Sequence, residues 1–236
     1  MARGGAARGG GARGGGARGS GGPGGGLRIT GGELRGRALL TPPGEDLLRP
    51  MRSQVRQALF NVLAAETPGA AALDLFAGSG CLGIEALSRG ARRCTFVERA
   101  GPCLKVLERN LDALGLAERG EVRRHDLNLG LGALASAGPF DLVLVHPPFE
   151  LLGRAEQPSQ PLDVAALLSS IPRTPGLLAP EGTVAFETPR GCYPDPAAAL
   201  PGLRIVRQKD YGTTTLFVAV RAEDSSLPAG PAEPGA

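Results

Sequence analysis

The sequence predicts one α/β domain, built on a seven-stranded sheet that is parallel except at one edge and carries helices on both faces. Short apolar runs alternate along the chain with segments of helical periodicity, which is the pattern of parallel strands joined by crossover helices. The chain has 236 residues, of which 42% are hydrophobic. That is enough to bury a full core, but it leaves no room for a second large domain.

Seven apolar runs are predicted as strands, because each is short and is bounded by polar or glycine-rich turns. The predicted strands cover residues 71–76, 94–98, 122–126, 141–145, 183–187, 203–209 and 214–220. The last two are separated only by a short turn around Gly212, so we expect them to pair as an antiparallel hairpin at the sheet edge.

Helical periodicity is predicted over residues 53–64, 81–88, 102–114, 129–136 and 162–171. Together with the strands, these helices place the globular domain at residues 50–221. In front of it, residues 27–49 begin with LRITGGELRGRALLTPP and predict a small β-hairpin extension that turns at Gly31 and Gly32.

The first 26 residues are almost wholly Gly, Ala and Arg, with Arg3, Arg8, Arg13 and Arg18 evenly spaced. A segment with so little to bury is predicted to be disordered, as is the polar tail at residues 222–236. Spaced arginines on a flexible backbone are typical of tails that bind RNA. A solvated tail that reflects base composition alone is an equally supported interpretation.

Charge and cysteine content argue against several classes of protein. The net charge is +3 at pH 7, and the evenly spaced arginines of the head account for all of it, so the basic character is local. The four cysteines are irregularly spaced without a CxxC pair, which indicates neither a zinc site nor a disulfide framework. We therefore expect the protein to be located in the reducing cytoplasm. No apolar run approaches the roughly 18 residues of a membrane span, and the N-terminus lacks the apolar segment of a secretory signal.

A glycine-rich loop and three acidic residues predict a cofactor site. Residues 78–83, GSGCLG, satisfy the GxGxxG pattern, which alone is weak evidence. The loop follows a predicted strand and opens a predicted helix, so its backbone N–H groups face a ligand at the carboxyl end of the sheet. Asp74, Glu98 and Asp126 stand at the ends of three successive predicted strands.

These acidic positions favour S-adenosylmethionine. We expect Asp74 to meet the ammonium group of this cofactor, Glu98 to accept hydrogen bonds from its ribose hydroxyls, and Asp126 to reach its adenine amino group. A carboxylate at position 74 would be badly placed beside a pyrophosphate, which disfavours a dinucleotide-dependent oxidoreductase.

The turn His146-Pro147-Pro148-Phe149 follows the apolar run FDLVLV. Neither proline has an N–H and both have a fixed φ, so the turn is stiff and offers its carbonyls as acceptors. An aromatic ring after it can stack on a flat substrate, and the side chain before it can accept a second hydrogen bond from the same NH₂ group. The pattern predicts a holder for the exocyclic amine of a planar base. A buried strand end is the alternative, but the spacing from the glycine-rich loop favours the amine holder.

The chain resembles the RsmD family of bacterial 16S rRNA guanine-N2 methyltransferases over about residues 27–220. The motifs that carry the resemblance, in order, are LRITGGELRGRALLTPP, LRPMRSQVRQALFNVL, LDLFAGSGCLGIEALSRGARRCTFVE, HPPF and KDYGTTTLFVAV. The resemblance implies the seven-stranded class I methyltransferase (Rossmann-like) fold and S-adenosylmethionine as the cofactor. It further implies a cytoplasmic, monomeric enzyme that needs no metal and acts on 16S rRNA or the small-subunit particle.

The resemblance also assigns residues to roles. The cofactor site is expected at Asp74, Phe76, Ala77, Gly78, Ser79, Gly80, Glu98 and Asp126. The target guanine is expected at His146, Pro147, Pro148 and Phe149. Phosphates of rRNA are expected at Arg28, Arg35, Arg37, Arg49, Arg52 and Arg56, although an ordinary solvated face is the alternative.

His146 departs from the family pattern, which has Asp in its place (DPPF). Neutral imidazole offers one acceptor nitrogen and imidazolium offers none, so the predicted activity should depend on pH. The departure keeps two alternatives open. One is a catalytically weak rRNA-binding assembly factor that retains the fold, and the other is a methyltransferase for another planar amine or amide, such as adenine N6 or a glutamine side chain.

Overall fold

The structure, a computed structural model, describes residue 1 and residues 26–42, 51–152 and 162–222. The predictions for the Gly/Arg-rich head, for Arg49 and for the C-terminal tail fall almost wholly on residues outside these ranges.

A seven-stranded sheet forms the centre of the molecule, as predicted. Its strands are β1 (Ala71–Leu75), β2 (Arg93–Glu98), β3 (Gly120–Arg124), β4 (Phe140–Val145), β5 (Leu178–Pro189), β6 (Leu203–Tyr211) and β7 (Thr214–Arg221). Their order is β3-β2-β1-β4-β5-β7-β6, and β7 pairs antiparallel with both of its neighbours. The sequence order therefore reverses between β1 and β4, which is where open α/β sheets bind their ligands.

Five α-helices accompany the sheet in the described part of the chain. They are α1 (Ser53–Val62), α2 (Cys81–Ser88), α3 (Gly101–Leu114), α4 (Val164–Ser170) and α5 (Pro196–Ala199). The helix predicted over residues 129–136 is wrong, because two 3₁₀ helices, Leu127–Leu129 and Gly132–Ala137, occupy that region. Gly130 between them has φ +80, a left-handed conformation that an α-helix cannot contain.

Two apolar clusters cover the two faces of the sheet. One is formed with α1, α2 and α3, and the other with α4 and the 3₁₀ helices after β3. All five residues of β1 are buried, as expected for a central parallel strand packed on both faces. The site at the end of β1 therefore stands on a rigid, fully buried strand.

The N-terminal extension, residues 26–42, is a loop closed by a single antiparallel bridge between Arg28 and Ala38. The predicted hairpin is thus reduced to one bridge, with Gly32 in its turn at φ +78. A Cβ at Gly32 would lie 1.8 Å from the carbonyl oxygen of Ser88, so only glycine allows the loop to approach the end of α2 this closely.

Candidate cofactor and substrate site

A cavity of about 1010 Å³ opens at the carboxyl ends of β1, β2, β4 and β5. Asp74 and Glu98 line it on one side, and the turn from His146 to Phe149 lines it on the other. β1 and β4 are adjacent and in register, with Leu75 opposite Val145, so the residues that follow them meet at the point where the strand order reverses. The structure thus brings the predicted cofactor residues and the predicted substrate turn into one cavity.

The glycine-rich loop begins directly after β1 with unusual backbone conformations. Phe76 has φ +64, which is uncommon for a residue with a side chain and is typical of strained functional sites. Gly80 caps α2 at φ +83, and a Cβ on it would lie 2.4 Å from the Leu107 side chain. The loop therefore lies close to α3, and the φ of Gly80 is one that a residue with a side chain would adopt only under strain.

Asp74 is 1% exposed and lines the cavity. Its Oδ2 accepts a hydrogen bond of 2.8 Å from the N–H of Gly83, while Oδ1 has no hydrogen-bond partner among the described residues. Burial raises the pKa of Asp74 to about 7. A cationic donor in the cavity would satisfy Oδ1 and favour the carboxylate form, so this position fits an ammonium group.

Glu98 ends β2 and holds the glycine-rich loop in place. Its Oε2 accepts from Gly78 N at 2.9 Å, and its Oε1 accepts from the N–H groups of Arg99 and Ala100, each at 2.8 Å. A carboxylate oxygen can accept two hydrogen bonds, so Oε2 retains capacity for a ligand hydroxyl. The ribose role assigned from the sequence stays a prediction.

Asp126 lies beyond the end of β3, because that strand stops at Arg124 and does not reach the predicted end. It caps a 3₁₀ helix, and its Oδ1 accepts from the backbone N of Asn128 at 3.1 Å and from the side-chain amide of Asn128 at 2.7 Å. The backbone hydrogen bond from Asn128 lowers the pKa of Asp126, so the carboxylate is charged at the cavity rim.

The HPPF turn lies where β4 ends. Pro148 adopts an extended conformation, and Phe149 opens a short 3₁₀ helix, Phe149–Leu151. The Phe149 ring stands edge-on to the His146 ring, with centroids 6.1 Å apart at 74°. Both rings line the cavity, so an aromatic ring and an imidazole border the space that a flat ligand would occupy.

Glu187 is a site residue that the sequence prediction missed. It lies one position after Phe186, the partner of Val145, so the pairing of β4 with β5 brings it level with His146. The distance from His146 Nδ1 to Glu187 Oε2 is 3.2 Å, and Glu187 is 2% exposed. Glu187 follows the apolar run TVAF as Asp74 and Glu98 follow theirs, so the criterion that selected those two residues selects it as well.

Asn110 is a second missed residue, and it joins the glycine-rich loop to the N-terminal extension. Its Nδ2 donates to Ser79 O at 2.9 Å and to Leu40 O at 3.0 Å, and its Oδ1 accepts from Leu40 N at 2.8 Å. A lone asparagine within a helix gives no sequence signal for such a role.

The arginines predicted to bind phosphates divide into two groups. Arg28, Arg35, Arg37 and Arg52 are exposed, as phosphate contacts would require. Arg56 is 0% exposed and forms an ion pair with Glu85, which is also 0% exposed, at 3.3 Å. The prediction for Arg56 is therefore wrong, because its guanidinium is enclosed by protein and stabilises the fold.

Comparisons with known proteins agree with this geometry. A family model described as conserved hypothetical protein 95 matches residues 27–220. The ribosomal RNA small subunit methyltransferase D of Escherichia coli is 44% identical over 126 residues, which is 52% of this chain and 60% of the relative. The chain belongs to the RsmD family of class I methyltransferases.

Two further relatives support this membership of the RsmD family. The enzyme of the same name from Haemophilus influenzae is 39% identical over 124 residues, which is 52% of this chain and 64% of the relative. The solved structure described as "putative methyltransferase yhhF from Escherichia coli" is 32% identical, with a TM-score of 0.63, and the match covers 83% of this chain and 97% of that one. The matches to the two curated relatives span less than two thirds of their length.

The described residues of this RsmD-family protein contain no cluster of three or more His, Cys, Asp or Glu side chains that could hold a metal ion. Among the same residues, no helix has the length and apolar character needed to cross a bilayer.

Proposed function

We propose that this protein transfers a methyl group from S-adenosylmethionine to the exocyclic N2 amine of a guanine in small-subunit rRNA. The observation that carries the proposal is the single cavity that joins buried Asp74 to the HPPF turn. The names of the relatives support rRNA as the substrate, and use of S-adenosylmethionine is general for the fold.

The cofactor residues fit the chemistry of S-adenosylmethionine. Asp74 Oδ1 is a buried acceptor without a hydrogen-bond partner in the described chain, which suits the ammonium group. Glu98 is available to the ribose hydroxyls, and Asp126 at the rim to the adenine amine. When bound, the cofactor supplies an electrophilic methyl group on a sulfonium.

The substrate residues act by orienting the amine. Pro147 presents its carbonyl as an acceptor, whereas the carbonyl of Pro148 already accepts from Leu151 N at 2.9 Å. His146 presents a ring nitrogen, and the Phe149 ring supports the base. Methyl transfer breaks a carbon–sulfur bond and forms a carbon–nitrogen bond, and the surplus proton on nitrogen passes to water. No strong base is required, so alignment of the nitrogen lone pair dominates the barrier. The base has to leave its stack to reach the cavity.

A catalytically weak RNA-binding assembly factor is the second candidate. His146 in place of the family's Asp is the observation that favours it, since a neutral imidazole stabilises positive charge on the amine less well than a carboxylate does. Cofactor binding that is tight but never followed by transfer would support this candidate.

Labelled methyl transfer tests the proposal directly. Small-subunit rRNA and particles from cells that lack this protein are incubated with the protein and labelled S-adenosylmethionine, and the RNA is digested to nucleosides. We expect the label in N2-methylguanosine. Label in N6-methyladenosine, or in protein rather than RNA, would show a different planar amine or amide as the acceptor.

A further inference from the structure

A row of three side chains, Arg207, Lys209 and Tyr211, lies along the edge of the sheet. They belong to β6, the outermost strand of the sheet order, whose described hydrogen-bonded neighbour is β7. Lys209 and Arg207 are opposite Leu216 and Val218, which belong to the apolar cluster under α1. The row therefore lies on the same side of the sheet as α1 and the N-terminal extension.

The row leads to the mouth of the cavity. The carbonyl oxygen of Tyr211 accepts hydrogen bonds from Arg52 Nη2 and from Thr214 Oγ1, both at 3.2 Å. Arg52 and Thr214 both line the cavity. The row thus ends at the cavity mouth, on the side of the HPPF turn.

The chemistry of the row suits a polyanion with flat bases. Arg207, Lys209 and Arg52 are exposed, and Tyr211 is half-buried with the Lys209 Nζ 5.4 Å from its ring centroid. The acidic neighbour Asp210 alternates to the other face of β6, where it pairs with Arg190 at 3.0 Å. Exposed cations beside an aromatic ring are the combination that binds single-stranded nucleic acid.

We infer that Arg207, Lys209, Tyr211 and Arg52 bind the RNA strand that flanks the target base. The cations contact successive phosphates, and the Tyr211 ring stacks on a neighbouring base, so that the target nucleotide is presented to the cavity. This inference rests on the proposed function, because it gives the path of the RNA into the same cavity.

The same strand provides a matched control. Arg204 is exposed on β6 and is paired with Val220, two residues beyond Val218, so it lies on the face of the row. It is at the opposite end of the strand, about 20 Å from Tyr211 at roughly 3.3 Å per residue. A substitution of Arg204 removes the same charge from the same strand far from the cavity mouth.

The experiment measures binding of 16S rRNA to Lys209→Gln, Tyr211→Leu and Arg204→Gln variants as a function of salt. Lys209→Gln should weaken binding about fivefold near physiological salt and lower the salt slope by about 0.7. Tyr211→Leu should weaken binding about tenfold with an unchanged slope, because stacking is not ionic. Arg204→Gln should remain within about twofold of wild type. Lys209→Arg and Tyr211→Phe should restore binding, which separates loss of contact from loss of fold.

Several results would overturn the inference. Equal losses of RNA affinity in Arg204→Gln and Lys209→Gln would indicate unspecific charge attraction. Unchanged RNA affinity in both variants would show that this surface does not bind RNA. A change in self-association by sedimentation, with RNA binding intact, would show that the edge strand pairs with a second copy. If the wild type methylates rRNA and the variants match it, this surface alone fails. If the wild type neither binds nor methylates rRNA, the proposed function fails with it.

Discussion

Asp74 has a buried carboxyl group of which only one oxygen, Oδ2, accepts a hydrogen bond from the described residues. An unpaired buried charge is costly, which is why the pKa of Asp74 rises to about 7. In the absence of ligand the side chain is therefore mainly neutral below about pH 7. A bound ammonium group favours the charged carboxylate, so binding below about pH 7 has to release a proton from Asp74.

Affinity for S-adenosylmethionine should consequently rise with pH up to about 7 and then level off. With a pKa of about 7 in the free protein, the dissociation constant should be roughly eightfold larger at pH 6 than at pH 7.5. Titration calorimetry in buffers of different ionisation enthalpy measures both the affinity and the released proton. Asp74→Asn should abolish the dependence and weaken binding by about 1 to 3 kcal/mol.

A cofactor fragment provides the control for that measurement. 5′-Methylthioadenosine lacks the ammonium group, so its binding should not depend on whether Asp74 is protonated. Its affinity should therefore stay the same between pH 6 and pH 7.5, although the pKa of Asp74, about 7, lies within that range. An S-adenosylmethionine affinity that is also flat with pH would mean that Asp74 does not contact the ammonium.

His146 is the second residue that single substitutions can test. Turnover at saturating cofactor should depend on an acceptor atom at position 146, which the imidazole supplies through a ring nitrogen. His146→Asn offers a carbonyl oxygen as the acceptor, so its turnover should stay within about fivefold of wild type. His146→Ala should lose about 10- to 100-fold in turnover, the scale of one hydrogen bond to the reacting amine.

Asn is preferred to Asp in this test because of Glu187. Its Oε2 lies 3.2 Å from His146 Nδ1, so Asp at position 146 would set a second carboxylate beside a buried one, and the two negative charges would repel each other. Wild-type turnover in His146→Ala would show that His146 does not hold the amine through its ring nitrogen.

Helix α2 connects the N-terminal extension with the glycine-rich loop. Glu85 on α2 is fully buried, and its carboxylate accepts from Thr30 N at 2.8 Å, Thr30 Oγ1 at 2.7 Å and Arg89 Nε at 2.8 Å. It also pairs with buried Arg56. The extension is therefore attached to the same helix whose first residues, Cys81 and Leu82, line the cavity.

Glu85→Ala should destabilise the protein by about 3 to 5 kcal/mol, because it leaves the buried Arg56 guanidinium without its carboxylate. Denaturant unfolding measures the change. Glu108→Ala is the matched control, since Glu108 is exposed on α3 and its loss should stay within about 0.5 kcal/mol. A small effect for Glu85→Ala would mean that water reaches Arg56 and that the extension is loosely attached.

Element boundaries followed from the sequence where side-chain patterns are strong. The bounds of α2 were predicted to the residue, and the antiparallel edge hairpin was predicted correctly. The helix predicted over residues 129–136 failed because apolar spacing does not distinguish α from 3₁₀ geometry, and the conformation of Gly130 decided it. β3 ends two residues early because Asp126 caps the following turn instead of ending the strand.

For the molecule as a whole, the Gly/Arg-rich head is predicted to add to RNA binding through charge alone. Deletion of residues 2–26 should leave cofactor affinity and unfolding free energy unchanged. It should reduce the slope of log affinity against log salt by about 0.7 to 0.9 for each arginine that contacts phosphate. Filter binding across a salt series measures this slope. An identical slope with and without the head would show that the head is inert toward RNA.

A full-length variant with Arg3, Arg8, Arg13 and Arg18 changed to Gln separates charge from chain length. It should reproduce the deletion if phosphate contacts are the cause, because only the charge of the head is removed while its length and glycine content are kept. A variant that binds like the wild type while the deletion does not would assign the effect to the glycine backbone.

The seven strands and the helices α1 to α4 in their chain order, the glycine-rich loop and the stiff proline turn could all be predicted from the sequence. Each depends on the local chemistry of a few neighbouring residues, such as hydrophobic period, missing N–H groups and absent Cβ atoms. The acidic residues at strand ends were found for the same reason. Resemblance to a family then joined these separate features into one site.

Only the tertiary structure decided which of these residues meet and which are enclosed. The register of β4 with β5 brings Glu187 beside His146, and the packing of α1 on α2 encloses Arg56 with Glu85. Burial and pairing depend on contacts between residues that are far apart in the chain, so composition and periodicity carry no direct record of them. For that reason the sequence predicts Arg56 as an exposed cation, whereas the fold buries it in the core.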